Sequence, residues 1–178
     1  MALALTGALA GVPQAAVIEE IAVPGIDNFS MLAETSGFAG SPAAFGGATQ
    51  AAAMPWLHEQ GFAAVVNLRF SSEEGADIDN SRATAEAAGL NYFSMPFNPE
   101  QLNAEYLENF WAVIGDPANQ PVYIHCQSAT RVAVLWMITR VLKDGWDTDA
   151  ASIEAQVIAA KPEKAVAVAT QYLESVGK

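Results

Sequence analysis

Cysteine is nearly absent from this chain. Cys126 is the only one in 178 residues, so no internal disulfide forms and no cysteine-built zinc cluster is available. Histidine is almost as scarce. His58 and His125 lie far apart, so no metal-ligand pattern arises, and neither a metal nor an organic cofactor is expected. Positive charge is the third shortage: 8 Lys and Arg face 20 Asp and Glu, a formal net charge of −12. That field repels nucleic acid and anionic membrane, and neither is an expected partner. A small anion in a local pocket remains compatible, because nearby N–H groups and one Arg outweigh distant, screened charge. No protein partner is indicated.

Apolar residues are plentiful, at 52% against 16% charged, which argues against general disorder. A chain of this length reads as one domain, able to bury about 70% of its unfolded surface without covalent staples. The opening "MALALTGALAGVPQAA" has the apolar core and small-residue tail of an export signal but no basic start. It is too short and mixed for a membrane span. Residues 1–24 therefore read as a leader or export-signal remnant, with periplasmic export the first expectation and a cytoplasmic protein with an apolar N-terminus the alternative. Residues 25–178 form the domain.

After the opening stretch, 17–47 reads as irregular with a short strand around Phe38. Helical periodicity runs from Ala48 to Gln60 and stops at Gly61. "FAAVVNLRF" (62–70) is an apolar run suited to a strand buried on both faces, followed by the polar loop "SSEEGADIDN". A helix over 81–88, the strand "LNYFSMPF" (90–97), a helix over 102–114 and the strand "PVYIHC" (121–126) come next. Residues 131–143 favour a buried helix on length and on the Arg140, Lys143 and Gly145 ending. Helices over 147–160 and 163–176, split by Pro162, complete an α/β fold: a single domain with a central, mostly parallel sheet flanked by helices. His58 reads as a surface residue, and Trp111, Trp136 and Trp146 as core.

The chemistry concentrates in "HCQSATR" (125–131). A strand ending in Cys, a short loop and a helix start make an anion site, because the loop N–H groups and the helix dipole converge on one point. There a Cys is driven toward thiolate, the nucleophilic form. Gln127, Ser128, Ala129 and Thr130 form the anion-binding loop. Arg131 is placed to hold an oxyanion bidentately. His125 reads as a hydrogen-bonded support for the loop. Arg69, at the end of its strand, either lines the pocket or pairs with Glu73 or Glu74. The competing reading is a lone Cys serving as a small buried hydrophobe. An accessible, low-pKa thiol would also oxidise readily, without a second Cys to resolve it.

This stretch resembles the signature of the cysteine-dependent protein tyrosine and dual-specificity phosphatase superfamily, His-Cys, five residues, Arg. Here four residues separate Cys126 from Arg131, the loop length of rhodanese-type sulfurtransferases and of a bacterial group of phosphatase-like domains called beta-lactamase hydrolase-like. "GFAAVVNLRFSSEEG", "NYFSMPF" and "HCQSATRVAVLWMITRVLKDGW" are similar to that group in order and spacing, over roughly residues 25 to 160. The resemblance implies a protein tyrosine phosphatase-like fold and a Cys126 nucleophile with Arg131 as its anion clamp. Stand-alone members of the group often carry an export signal.

Three positions depart from the superfamily pattern: Ala129 where Gly is usual, Val132 where Ser or Thr follows the Arg, and Asn98 where an Asp acid is expected. Asn is no useful proton donor to an alkoxide, which leaves Glu73, Glu74 or Asp77 as possible acids from the other loop. A missing acid favours reactions that need none. The first reading is therefore sulfur transfer through a Cys126 persulfide, on a small anionic or persulfide substrate. Its alternatives are phosphate-monoester hydrolysis through a phosphocysteine, and a non-catalytic module binding an oxyanion or a partner.

Overall fold

A computed structural model describes residues 18–32 and 43–178. The expected strand at Phe38 and most of the leader lie outside them. Six strands, β1 (Ile18–Glu20), β2 (Ser30–Leu32), β3 (Ala43–Gly46), β4 (Ala64–Asn67), β5 (Asn91–Ser94) and β6 (Val122–His125), form one sheet. Its order is β1-β2-β3-β6-β4-β5. The four strands from β3 to β5 run parallel, while β1 and β2 add an antiparallel edge. Ile18–Glu20 thus belongs to the folded sheet, which begins before residue 25.

The period-2 alternation of strands places each residue type on its face. Ala64, Val66, Val122 and Ile124 point toward α3 (Ala104–Gly115), α4 (Thr130–Leu142), α5 (Thr148–Ile158) and α6 (Pro162–Ser175). Val65 and Tyr123 point to the other side, into a cluster with Leu57 of α1 (Met54–Glu59) and Ala85 of α2 (Ile78–Ala87). Both faces are covered, as the continuous apolar run in β4 requires.

The expected helix over 48–60 is shorter, a 3-10 turn over Ala51–Ala53 leading into α1. The helix expected from Ser81 starts three residues earlier, at Ile78. The three N-terminal strands went unread except as irregular chain. Ala43, Ala44 and Gly46 are weak strand formers, and β3 exists because it is paired on both sides, by β2 and β6. Gly46 is obligatory there: any Cβ would collide with the Tyr123 hydroxyl.

Helix α4 carries the site and is anchored deep in the domain. Nearly all its residues are buried. Glu154 of α5, itself buried, accepts hydrogen bonds from Trp136 Nε1 and Arg140 Nε, both at 2.8 Å. Arg140 also reaches Asp144 at 2.8 Å and stacks on the Trp136 and Trp146 rings. A buried ionic pair satisfied in this way fixes geometry.

Candidate active site

Parallel strands β4, β5 and β6 send their following segments to the same edge of the sheet, where α/β folds place ligands. The segment after β6 is the cysteine loop. Cys126 donates its N–H to Gly46 O at 3.2 Å, and Gly47 lies against the loop, where a Cβ would sit 3.0 Å from Asp27 O and 3.2 Å from Gln127 O, a tight fit. Ala129 then takes a left-handed conformation, φ 55° and ψ −5°, as the N-cap of α4. At the position where the resemblance expects Gly, Ala129 thus takes a glycine-type backbone. The first α4 bond runs from Ala133 N–H to Ala129 O. The N–H groups of Thr130, Arg131 and Val132 therefore stand at the helix mouth, at its positive end. Ser128 Oγ and Thr130 Oγ1 lie 3.1 Å apart.

Arg131 is fixed from the far side. Its Nη1 donates to Leu68 O at 3.0 Å and to Glu73 Oε1 at 2.7 Å, and Nη2 donates to Glu73 Oε2 at 2.7 Å. These bonds hold one edge of the guanidinium, while the Nε–Nη2 edge keeps further donors. Burial would lower the Arg131 pKa, but Glu73 and Cys126 raise it, so the guanidinium stays charged throughout.

Arg69 does not line the pocket. It is buried and donates to Gly75 O at 2.9 Å and to Glu74 O, with Nε 3.5 Å from Glu73 Oε2. It staples the 70–76 loop and so presents Glu73 to Arg131. Of the candidate acids, Glu73 is held as an anion. Burial pushes its carboxyl up, yet the Arg131 hydrogen bonds, the Phe70 N–H and the two Arg charges bring it below the usual range. A carboxylate so held is a poor proton donor. Glu74 is exposed and gives only its carbonyl to Arg69, and the Asp77 carboxylate accepts from Asn80 Nδ2 at 2.8 Å. Neither reaches the cleft.

His125 is fully buried and stacks on Tyr123, with ring centroids 5.6 Å apart and planes 8° from parallel. Burial pushes its pKa down to about 4, so the ring is neutral. The backbone of Gly47 and of Cys126 lies against the ring and opposes that lowering, so the stacked ring packs beside the loop it precedes. Cys126 is 1% exposed. The expected accessible thiol is instead a buried side chain in the cluster that holds Ile124, Ala129 and Val132.

Beside the loop is a cavity of about 220 Å³ lined by Gln127, Ser128, Thr130 and Arg131, by Pro99 and Val134, and by Lys161, Lys164 and Val168, with Cys126 buried behind it. No carboxylate lines it. Asn98, next to Pro99, spends its Oδ1 on the Glu100 N–H at 3.1 Å. The two lysines were missed in the sequence. Their signal was there: in a chain with 8 basic residues, two flank Pro162 in the first turn of a helix, where the dipole disfavours cations. No metal-binding cluster of His, Cys, Asp and Glu occurs among the described residues.

Residues 35–143 match the family described as "Beta-lactamase hydrolase-like protein, phosphatase-like domain". The Beta-lactamase hydrolase-like protein of Agrobacterium fabrum is 29% identical over 90 residues, 49% of this chain; the match spans 21% of that relative's length. Among solved structures, TpbA of P. aeruginosa superposes with a TM-score of 0.63 at 17% identity, covering 86% of this chain and 88% of TpbA. The core catalytic domain of the PP-IP phosphatase SIW14 of S. cerevisiae, in complex with citrate, gives 0.65 at 18% identity, covering 86% and 87%. At such identities these likenesses establish the fold.

Proposed function

The chain belongs to the family of phosphatase-like domains of beta-lactamase hydrolase-like proteins, and from that premise we propose that it hydrolyses phosphate monoesters through a phosphocysteine. The Cys126 thiolate attacks phosphorus, the S–P bond forms and the P–O bond to the leaving group breaks. Water then attacks phosphorus, the S–P bond breaks, and inorganic phosphate and the thiolate are released. Arg131 and the N–H groups at the α4 mouth hold the equatorial oxygens, whose charge they match in the transition state. Glu73 positions Arg131, while Gln127, Ser128, Ala129 and Thr130 shape the cradle.

The observation that carries this reading is the setting of Arg131, five residues after Cys126 at the start of α4: one guanidinium edge is locked to Glu73, and the Nε–Nη2 edge keeps further donors. The solved structures add support. TpbA has also been obtained as a Cys-to-Ser variant in complex with pTyr, and SIW14 is a phosphatase. With no carboxylate in the cleft, the favoured substrates are those whose leaving oxygen departs without a strong acid, aryl phosphates before alkyl ones.

Sulfur transfer, the first reading of the sequence, becomes the second. The acid-free cleft is what favours it, since a Cys126 persulfide forms and discharges without protonating an alkoxide. The family and the phosphatase neighbours favour hydrolysis more. Reduced protein and Cys126→Ser are each given an aryl phosphate, and separately thiosulfate with cyanide. Cys126-dependent phosphate release without thiocyanate is the expected result. Thiocyanate without phosphate reverses the order of the two readings.

A further inference from the structure

The geometry points to a second anion subsite in the same cleft, built by Lys161 and Lys164, for a small phosphate ester that carries a second phosphate. This deepens the phosphatase reading and rests on it. Three of the chain's 8 basic residues, Arg131, Lys161 and Lys164, converge on one cavity in a molecule of net charge −12. No acidic residue lines that cavity. Neither lysine forms an ion pair among the described residues. The other basic side chains in described contacts are occupied: Arg69 by the 70–76 loop, Arg82 by Glu86 and Tyr92, Arg140 by Glu154 and Asp144, and Lys143 over Trp111.

The lysines are also held in register with the cysteine loop. Ala160 donates its N–H to Ser128 O at 3.1 Å, which ties the chain one residue before Lys161 to the middle of the loop. Pro162 opens α6 directly afterwards, with φ fixed by its ring. Lys164 follows on the first turn, next to the buried Ala165. Two ammonium groups at a helix start raise the local positive potential where the helix dipole already favours anions. Pro99, Val134 and Val168 add apolar wall to the same cavity. The ligand that fits carries two phosphates on a compact body, one held at Arg131 and the loop residues Gln127, Ser128 and Thr130, the other at the lysines.

The test compares phenyl phosphate with 1,4-phenylene bisphosphate, which share an aryl leaving group and differ by the second phosphate. Wild type is expected to prefer the bisphosphate in kcat/KM by about tenfold. In Lys161→Ala/Lys164→Ala that preference collapses toward one, and in Lys161→Arg/Lys164→Arg it returns. A preference that is absent in wild type, or that survives in the double Ala variant, overturns the subsite. If neither ester releases phosphate in a Cys126-dependent way, the phosphatase reading fails on its own. Calorimetric binding of the two esters to Cys126→Ser then decides: a lysine-dependent preference for the bisphosphate keeps the subsite, and equal binding removes it.

Discussion

Arg131 gives both carboxylate oxygens of Glu73 a hydrogen bond of 2.7 Å, across 58 residues of sequence. That fork joins the loop after β4 to the helix after β6 and settles which way the guanidinium faces. The pair is partly solvated, with side-chain exposures of 18% and 25%, so its value lies in orientation more than in stability.

Glu73→Gln keeps one acceptor and loses the charge. It is expected to lower kcat/KM by about 10 to 100-fold, as misplaced positioning groups do. Because Glu73 acts through Arg131, the loss will be equal for p-nitrophenyl phosphate and phenyl phosphate. If Glu73 were the proton donor, phenyl phosphate, with the poorer leaving group, would suffer much more. Steady-state rates on the two esters distinguish these cases.

Much of this arrangement was legible in the chain. Cys126 at a strand end, Arg131 at a helix start and an apolar β4 are local patterns, and they placed the loop, the helix and the parallel sheet. Long-range partnerships were not legible. Whether Arg69 met a ligand or a carboxylate depended on how the 70–76 loop folds back, and Glu73 looked like an acid because its partner lies 58 residues away. Strand β3, with its Ala-Ala-Phe-Gly sequence, has no local signal; pairing to β2 and β6 makes it a strand.

Ala129 holds φ 55° with its methyl fully buried. Replacing it by Gly relieves the left-handed strain, of order 1 kcal/mol, but removes a packed methyl and loosens the unfolded chain. Ala129→Gly should therefore stay within about 1 kcal/mol of wild type and keep its activity. Ala129→Val adds a β-branch at positive φ in a closed space, and is expected to cost about 2 kcal/mol or more. Urea midpoints of the two variants check both.

Acid should destabilise the fold in two stages. His125 is neutral in the folded protein, with a pKa near 4, while the unfolded chain takes its proton at the ordinary value of 6.5. Its contribution is complete above pH 6.5 and is lost as pH falls toward 4, about 3 kcal/mol in all. Glu73, also depressed, adds a further loss below its unfolded value of 4.5. Urea unfolding of wild type and His125→Gln from pH 8 to pH 4 measures the first stage. The wild-type slope between 6.5 and 4 should be steeper by close to one proton; parallel curves contradict a buried neutral His125.

In the proposed reaction Cys126 carries the phosphoryl group. Acid quenching during turnover of p-nitrophenyl phosphate, followed by peptide mass spectrometry, tests it most directly. A phosphoryl adduct is expected on the peptide containing Cys126, none in Cys126→Ser, and a weaker signal in Glu73→Gln. Phosphate release with no adduct on Cys126, or an adduct on another residue, would contradict it.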